Sequence, residues 1–245
     1  KSDEDYGYQK ARQDLREQDL KRYGIQTVFV DEYSEITELL RIVENTIRIN
    51  NVFISGSADF YGGIWTKAKI DELAYKLANR FVKEELRVIS GFGVGIGSSV
   101  INGALDEIYN SKFKHIDEHL CLRPFPQGIT NPDERKAKWK QYREDIFDEA
   151  GVAIFMIGNK KNAEGKKAIA DGCLQEYNLA KERKCIIIPI GSTGDAAATI
   201  YADLKTNKDQ YPYLEKYLDI LGTQTDIDII VNAIMDIIQL QRTVK

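Results

Sequence analysis

The chain has 245 residues, of which 43% are apolar and 29% charged, a composition typical of a globular protein with a sizeable core. Its formal charge of −4 provides no overall basic field, so we expect no nucleic-acid partner. No leader pattern opens the chain and no apolar run approaches the roughly 18 residues of a membrane span, so we expect a cytoplasmic protein without a membrane partner. Because it does not begin with methionine, we also expect a fragment of something longer.

Two helices and one strand are predicted before residue 50. Apolar spacing predicts helices over 8–22 and 34–49, with Ser34 capping the second, and a strand over 25–30.

From residue 52 onward, strands and helices alternate, which predicts an α/β fold: a Rossmann-like, doubly wound, mostly parallel sheet with helices on both faces. The strands are predicted at 52–55, 87–90, 118–122, 152–157 and 185–190, and the helices at 66–83, 98–110, 133–149, 168–183 and 195–205. The last two strands are apolar on both faces, so we expect them at the centre of the sheet.

A final helix is predicted from about Asp226 to Gln241, and its apolar residues recur at helical spacing. Two interpretations are open. The stripe either binds another protein, in a module without a small-molecule ligand, or packs into the core, which is the commoner use of such a stripe.

Cysteine and histidine patterns argue against a metal site. Cys121, Cys173 and Cys185 are odd in number and lie mostly in apolar runs, which favours buried reduced thiols over disulfides or zinc. The string from His115 to His119 matches a metallopeptidase pattern, but it runs into a strand-like segment that would separate the two imidazoles. We therefore expect exposed histidines and no metal.

Two glycine-rich turns carry the strongest functional signal. Ser55, Gly56 and Ser57 follow the first sheet strand, and a longer turn that begins with Gly91, Phe92 and Gly93 follows the second. Backbone N–H groups and a helix N-terminus directly after a buried strand can hold an anion. On adjacent strands, the two turns predict one phosphate-binding crevice at the carboxyl ends of the sheet. Neither a Walker motif nor the acidic partner of a dinucleotide fingerprint accompanies them.

Charged side chains near the same edge could complete this crevice. Arg135, Trp139 and Arg143 share one helix face, where Arg143 suits bidentate phosphate contact and Trp139 could stack on a base. Glu176 could accept hydrogen bonds from ribose hydroxyls. The plainer alternatives are a solvated basic face and a glutamate favoured by the helix dipole.

With these motifs in this order, residues 50 to about 205 resemble the SLOG superfamily, Rossmann-like domains related to DNA-processing protein A and the LOG phosphoribohydrolases. They resemble in particular the SLOG domains of effectors in Thoeris antiphage defence. Residues 20–30 and the following helix look like the end of the sirtuin-like domain that precedes SLOG in those effectors. The resemblance implies that residues 1–49 are the tail of that NAD hydrolase domain and that 50–245 form a SLOG ligand-binding domain.

The resemblance also implies a sensor. Such domains bind a cyclic ADP-ribose isomer made by a partner TIR-domain protein, and this releases NAD hydrolysis by the attached sirtuin-like domain in a homotetramer. We therefore expect a homodimer or homotetramer that requires no cofactor. No catalytic residue is expected, since the sirtuin-like Asn and His would lie upstream of Lys1. The ligand contacts would fall on Ser55, Gly56, Ser57, Gly91, Phe92, Gly93, Arg143, Lys160 and Glu176, the placement of Lys160 resting on its position after the fourth strand.

A LOG-type N-glycosidase acting on a nucleoside monophosphate is the enzymatic alternative. The LOG enzymes carry P-G-G-x-G-T-x-x-E, whereas Gly158-Asn159-Lys160 stands here in place of the P-G-G turn, with a longer insert before Gly172. Glu176 remains as a candidate acid/base group. The altered turn favours binding over turnover.

Overall fold

The computed structural model describes residues 36–112 and 114–243. The chain divides into two compact units, residues 1–46 and 47–245, and the described part of the first consists of the start of helix α1 (Ile36–Arg48). The predicted helix over 8–22, the strand over 25–30 and the Ser34 cap lie outside the described residues.

The second unit is built on a five-stranded parallel sheet with the strand order β3-β2-β1-β4-β7, which confirms the predicted doubly wound architecture. In chain order its elements are β1 (Asn51–Ser55), α2 (Lys67–Lys83), β2 (Arg87–Ser90), α3 (Gly97–Asn110), α4 (Ile116–His119), β3 (Leu120–Leu122), α5 (Pro132–Glu149), β4 (Val152–Met156), β5 (Asn159–Lys161), β6 (Lys167–Ile169), α6 (Asp171–Glu182), β7 (Ile186–Ile190), α7 (Asp195–Thr206), α8 (Leu218–Thr223) and α9 (Ile227–Thr243).

The strand order explains how helices come to cover both faces. The chain moves outward from β1 through β2 to β3, and then crosses back to β4 and β7 on the other side of β1. Because such crossovers are right-handed, the reversal moves helices α5 to α7 to the opposite face. Accordingly α2 packs on α3 and α9, whereas α6 packs on α5 and α7. None of the described helices is long and apolar enough to cross a bilayer.

Helix starts follow local side-chain chemistry. The Asn131 side chain accepts hydrogen bonds from the backbone N–H groups of Asp133 and Glu134, at 2.9 and 3.2 Å, and Pro132 occupies the first position of α5. The asparagine side chain satisfies backbone N–H groups of the first turn, which have no partner within the helix. Proline suits the first position because it has no N–H group that would need one. These contacts define where α5 begins.

The core fills the space between the sheet and its helices. Phe53 on β1 meets Phe147 on α5 edge-on, with ring centroids 5.3 Å apart. The apolar stripe of α9 packs into this core, as the second interpretation expected, so it is not free to bind another protein. The buried members of that stripe are Ile227, Ile230, Val231, Ile234 and Ile238. All three cysteines are buried, as predicted.

The predicted central position of residues 185–190 is wrong. β7 pairs with β4 and lies at an edge of the described sheet. The Tyr213 hydroxyl accepts a hydrogen bond from the Ile187 N–H at 3.0 Å and donates to the Ile187 carbonyl at 3.2 Å. The Tyr213 side chain thus supplies at Ile187 the two hydrogen bonds that a neighbouring strand would otherwise make. The strand is apolar on both faces because helices and the turn that carries Tyr213 cover it.

Two predicted boundaries, and the exposure of one histidine, are also wrong. Residues 116–119 form α4, so β3 begins only at Leu120, and this single helical turn directs His119 inward. His119 is buried, with Nε2 3.6 Å from a Glu85 carboxylate oxygen, whereas His115 is exposed as predicted. Residues 168–169, predicted as helix, pair with β5 in an antiparallel hairpin, and α6 starts after them.

Candidate functional site

The two glycine turns lie side by side at the carboxyl ends of β1 and β2, as predicted. A Cβ on Gly93 would lie 2.2 Å from the Gly56 carbonyl oxygen, and one on Gly56 would lie 2.5 Å from the Met156 carbonyl oxygen. The loops after β1, β2 and β4 therefore touch through their backbones, which only glycine permits. The strand order also reverses between β1 and β4, and such a switch point is the usual position of a ligand crevice in these sheets.

Three of the predicted site residues meet directly in this region. Ser55 Oγ donates a hydrogen bond to Glu176 Oε2 at 2.5 Å, and Arg143 Nε lies 3.4 Å from Glu176 Oε1. The three residues are 1%, 8% and 6% exposed, so a strand end, α5 and α6 meet through a buried polar cluster. Buried charged groups are costly unless they are paired and hydrogen-bonded, as these are, and buried groups of this kind cluster at functional sites.

Burial sets the protonation of this cluster. Loss of hydration raises the pKa of the Glu176 carboxyl, and the Ser55 hydrogen bond and the Arg143 charge oppose that rise. Burial likewise raises the pKa of the neighbouring Cys173 thiol to about 12, so at neutral pH it is an unreactive thiol. Sequence reasoning took Cys173 only as a buried thiol, and nothing in the pattern indicated its place beside Ser55 and Ser57.

Aromatic rings hold Arg143 and the second glycine turn. The Arg143 guanidinium lies 4.9 Å from the centroid of the Phe125 ring, and the same ring packs against Gly91, where a Cβ would lie 3.0 Å from its edge. Phe125 in turn meets Trp139 at 5.8 Å, and Trp139 Nε1 donates to the Pro126 carbonyl at 2.9 Å. Trp139 therefore supports the loop after β3. Sequence reasoning did not select Phe125.

Arg135 is not part of the cluster. It is exposed and lies 5.8 Å over the Trp139 ring, as the solvated-face interpretation expected.

The N-terminus of α6 already holds a negative group. The Asp171 carboxylate pairs with Lys160 and accepts hydrogen bonds from the backbone N–H groups of Asp171 and Gly172, and these contacts lower its pKa, Lys160 most of all. Arg143 Nη2 lies only 3.0 Å from where a Gly172 Cβ would be. Arg143 and Lys160 thus both approach the N-terminus of α6, Lys160 through its contact with Asp171 and Arg143 beside Gly172. The Asp171 carboxylate marks where a ligand anion would be stabilised.

Asn159 organises the loops around the site and was missed from the sequence. It is fully buried; its side-chain oxygen accepts from the N–H groups of Asp59 and Phe60, and its nitrogen donates to the Asp195 carboxylate at 2.6 Å. Ser57, which is predicted to contact ligand, donates to the Asn159 carbonyl at 3.0 Å in the described structure. The asparagine after Gly158 was the available signal, because asparagine can satisfy several backbone groups at once.

Three of the five described non-glycine residues with positive φ lie at the same edge, whereas Glu85 and Lys184 precede β2 and β7 at the other. Phe92, Ile157 and Asp195 have φ values of 55°, 50° and 55°, in the left-handed region that non-glycine residues avoid. They follow β2, β4 and β7, and Phe92 also leaves its ring 52% exposed. Strained positions of this kind persist where surrounding structure enforces them, often at ligand sites.

The side chains of the cluster are buried in the described structure. A cavity of about 360 Å³ lies instead beside the last turn of α3 and the start of α4, at the amino ends of the strands, where Ile108, Lys114 and His115 help to line it. A ligand group that reaches Arg143 and Glu176 must therefore displace groups that cover them, and the Phe125 ring beside the Arg143 guanidinium is one of these.

The comparison with protein families agrees with this geometry. A family model described as the Sir2- and TIR-associating SLOG family, STALD, matches residues 35–241. The chain belongs to this family. The resemblance to SLOG domains is thereby confirmed.

Several bacterial proteins are similar to the chain over most of its length, and each is named NAD(+) hydrolase ThsA. The protein from Acinetobacter baumannii (strain 532279) is 34% identical over 250 residues, which cover 98% of this chain and 52% of that protein. Those from Cytobacillus dafuensis and Bacillus cereus (strain MSX-D12) are 36% and 35% identical, covering 94% and 84% of this chain and 46% and 42% of theirs. The chain therefore spans about half the length of these relatives.

Proposed function

We propose that this chain is the sensor part of a larger NAD-hydrolysing protein and binds a cyclic ADP-ribose isomer at the cluster of Ser55, Arg143 and Glu176. The observation that carries this proposal is the buried Arg143–Glu176 pair at the switch point of the sheet. It lies beside the N-terminus of α6, where Asp171 already occupies an anion position.

Each part of such a ligand has a matching group. Arg143 and Lys160 carry the charge that a diphosphate requires, and Arg143 offers a planar fork suited to it. Backbone N–H groups of the turns at Gly56, Gly91 and Gly93 can cradle phosphate oxygens. Glu176 can accept hydrogen bonds from ribose hydroxyls, and the exposed Phe92 ring offers a face on which a base can stack.

The wider role rests on the family and its named relatives. Proteins called NAD(+) hydrolase ThsA are about twice as long as this chain, and the family is described as associated with Sir2 and TIR domains. We propose that residues 1–49 end a sirtuin-like NAD hydrolase domain and that a TIR-domain protein supplies the signal in Thoeris antiphage defence. A cytoplasmic homodimer or homotetramer that needs no cofactor completes the proposal.

A thermal-shift panel tests ligand class. The purified chain is heated alone and with cyclic ADP-ribose isomers, ADP-ribose, NAD and AMP. A ligand selective for the folded state raises the melting temperature by mass action, with about 2.7 kcal/mol of stabilisation at a hundredfold excess over Kd. We expect a cyclic isomer to give the largest shift. Equal or absent shifts across the panel would overturn the sensor proposal.

One observation favours the LOG-type alternative enough to keep it. Burial raises the pKa of Glu176, which favours the protonated carboxyl that a general acid needs. The hydrogen bond from Ser55 orients that carboxyl. Incubation with AMP, followed by chromatography for free adenine, separates the two functions. We expect no adenine above a Glu176→Gln control; Glu176-dependent release would establish the phosphoribohydrolase instead.

A further inference from the structure

Arg48, the last residue of α1, holds together the ends of two helices. Its Nη2 donates to the carbonyl oxygens of Phe147 at 3.0 Å and Ala150 at 2.8 Å, which close α5, and to that of Arg183 at 3.3 Å, which caps α6. The last carbonyls of a helix lack partners within it, and a cation there is favoured by the helix dipole. One guanidinium therefore serves two helix C-termini at once.

The backbone of Arg48 also packs closely against the loop that follows α5. A Cβ on Gly151 would lie 2.3 Å from the carbonyl carbon and oxygen of Arg48, so only glycine lets the end of α1 cross the loop between α5 and β4. The Cys185 thiol donates to the Ala150 carbonyl at 3.3 Å and lies 3.8 Å from Arg48 Nη2. These contacts form a socket, which we define as Phe147, Ala150, Gly151, Arg183 and Cys185.

The two helices that meet at this socket also carry the buried ion pair. Arg143 stands on α5 one helical turn before Phe147, and Glu176 stands on α6 two turns before Arg183, about 6 and 10 Å away along the helix axes. A phosphate that binds Arg143 through Nε would take the place of the Glu176 carboxylate, which lies 3.4 Å from that atom. Such an insertion separates α5 from α6, and their far ends meet at Arg48.

We propose that Arg48 couples occupancy of the Arg143–Glu176 site to the segment of chain that precedes Ile47. The coupling rests on the proposed function, since it requires an anionic ligand at that site. Without ligand, Arg48 holds the two helix ends at one spacing and fixes the end of α1. Ligand entry spreads the helices, weakens the Arg48 contacts and releases α1. Because coupling is reciprocal, Arg48 in turn opposes ligand binding.

Calorimetry on three variants tests this coupling, with the cyclic ADP-ribose isomer selected by the thermal-shift panel as the probe. Arg48→Met removes the donor and should tighten binding about fivefold or more, the lower end of usual coupling between sites. Arg48→Lys keeps a charged donor and should restore most of the wild-type affinity. Arg80→Met, in the last turn of α2 with a local partner in Glu84, is the control and should leave affinity unchanged.

Hydrogen exchange on the wild-type chain gives a second measurement that does not depend on a variant folding. Bound probe should raise amide exchange over residues 44–50 about twofold or more, and Arg48→Met should show that faster exchange without probe. If wild type binds no isomer, the proposed function fails, and the coupling fails with it. If the probe binds but neither affinity nor exchange depends on Arg48, the coupling alone is overturned.

Discussion

The Ser55 hydroxyl donates to the Glu176 carboxylate at 2.5 Å, joining the end of the central strand β1 to the second turn of α6. Arg143 approaches the other carboxylate oxygen from α5, so three elements meet at one buried carboxyl group. Any ligand that uses Arg143 or Glu176 must exchange these internal contacts for its own. The strength of the contacts that Glu176 makes without ligand therefore affects the affinity for a ligand.

Stability should depend on pH through Glu176. Its folded-state pKa is raised above the ordinary value by burial, so its contribution to stability is fully present below the unfolded pKa and is lost as pH rises through the folded pKa. Glu176→Gln removes this dependence. We expect the variant to gain stability relative to wild type between pH 4 and pH 8, measured by urea unfolding. A constant difference would show that Arg143 compensates the charge fully, and exposed Glu164→Gln serves as control.

Removal of the Asp171 charge should strengthen ligand binding. The Asp171 carboxylate now occupies the N-terminus of α6 and pairs with Lys160, so it competes with a phosphate for both. Asp171→Asn frees Lys160 and should lower the Kd for the cyclic isomer several-fold in calorimetry, with Asp133→Asn in the first turn of α5 as a matched control. A weaker affinity in Asp171→Asn would mean that the carboxylate positions the ligand.

Tyr213 should protect the free edge of the sheet. Its hydroxyl satisfies both the N–H and the carbonyl of Ile187, and Tyr213→Phe leaves them without that partner. Loss of a hydrogen bond to a buried backbone donor costs about 1–3 kcal/mol, which we expect in the free energy of unfolding by urea. Tyr109→Phe, at an exposed tyrosine on α3, should change it little. Equal stability of both variants would mean that other groups cover this edge.

Cys173 should resist alkylation in the folded protein. Burial raises the pKa of its thiol to about 12, so little thiolate exists at pH 8 and the reagent has no access. We expect mass spectrometry to find Cys173 unmodified after iodoacetamide treatment of the native chain and modified after unfolding. A Glu164→Cys variant supplies an exposed thiol that should react under both conditions. Rapid native labelling of Cys173 would show that the cluster opens without ligand.

Much of the fold could be predicted because buried parallel strands and amphipathic helices have different periods. The alternation of the five sheet strands with their helices after residue 50 followed from this difference alone. The position of β7 did not, since Tyr213 covers an edge that the strand's own apolar pattern cannot distinguish from a central position. The hairpin at residues 159–169 was also missed, because polar lysines carry no strand signal.

Side-chain partners were the harder part of the site. Ser55, Arg143 and Glu176 were selected from strand-end position and residue chemistry, and the fold brings them together. For Trp139, by contrast, helix spacing suggested base stacking as one possibility and could not show that a loop carbonyl satisfies its indole.

The most direct test of the binding proposal compares two arginines of α5 by calorimetry with a cyclic ADP-ribose isomer. Arg143 lies in the buried cluster, and Arg135 is exposed two turns earlier on the same helix. A charge-assisted hydrogen bond contributes about 1.5–3 kcal/mol, so Arg143→Met should weaken binding about ten- to a hundredfold and Arg135→Met hardly at all. Wild-type affinity in Arg143→Met would contradict the proposed site.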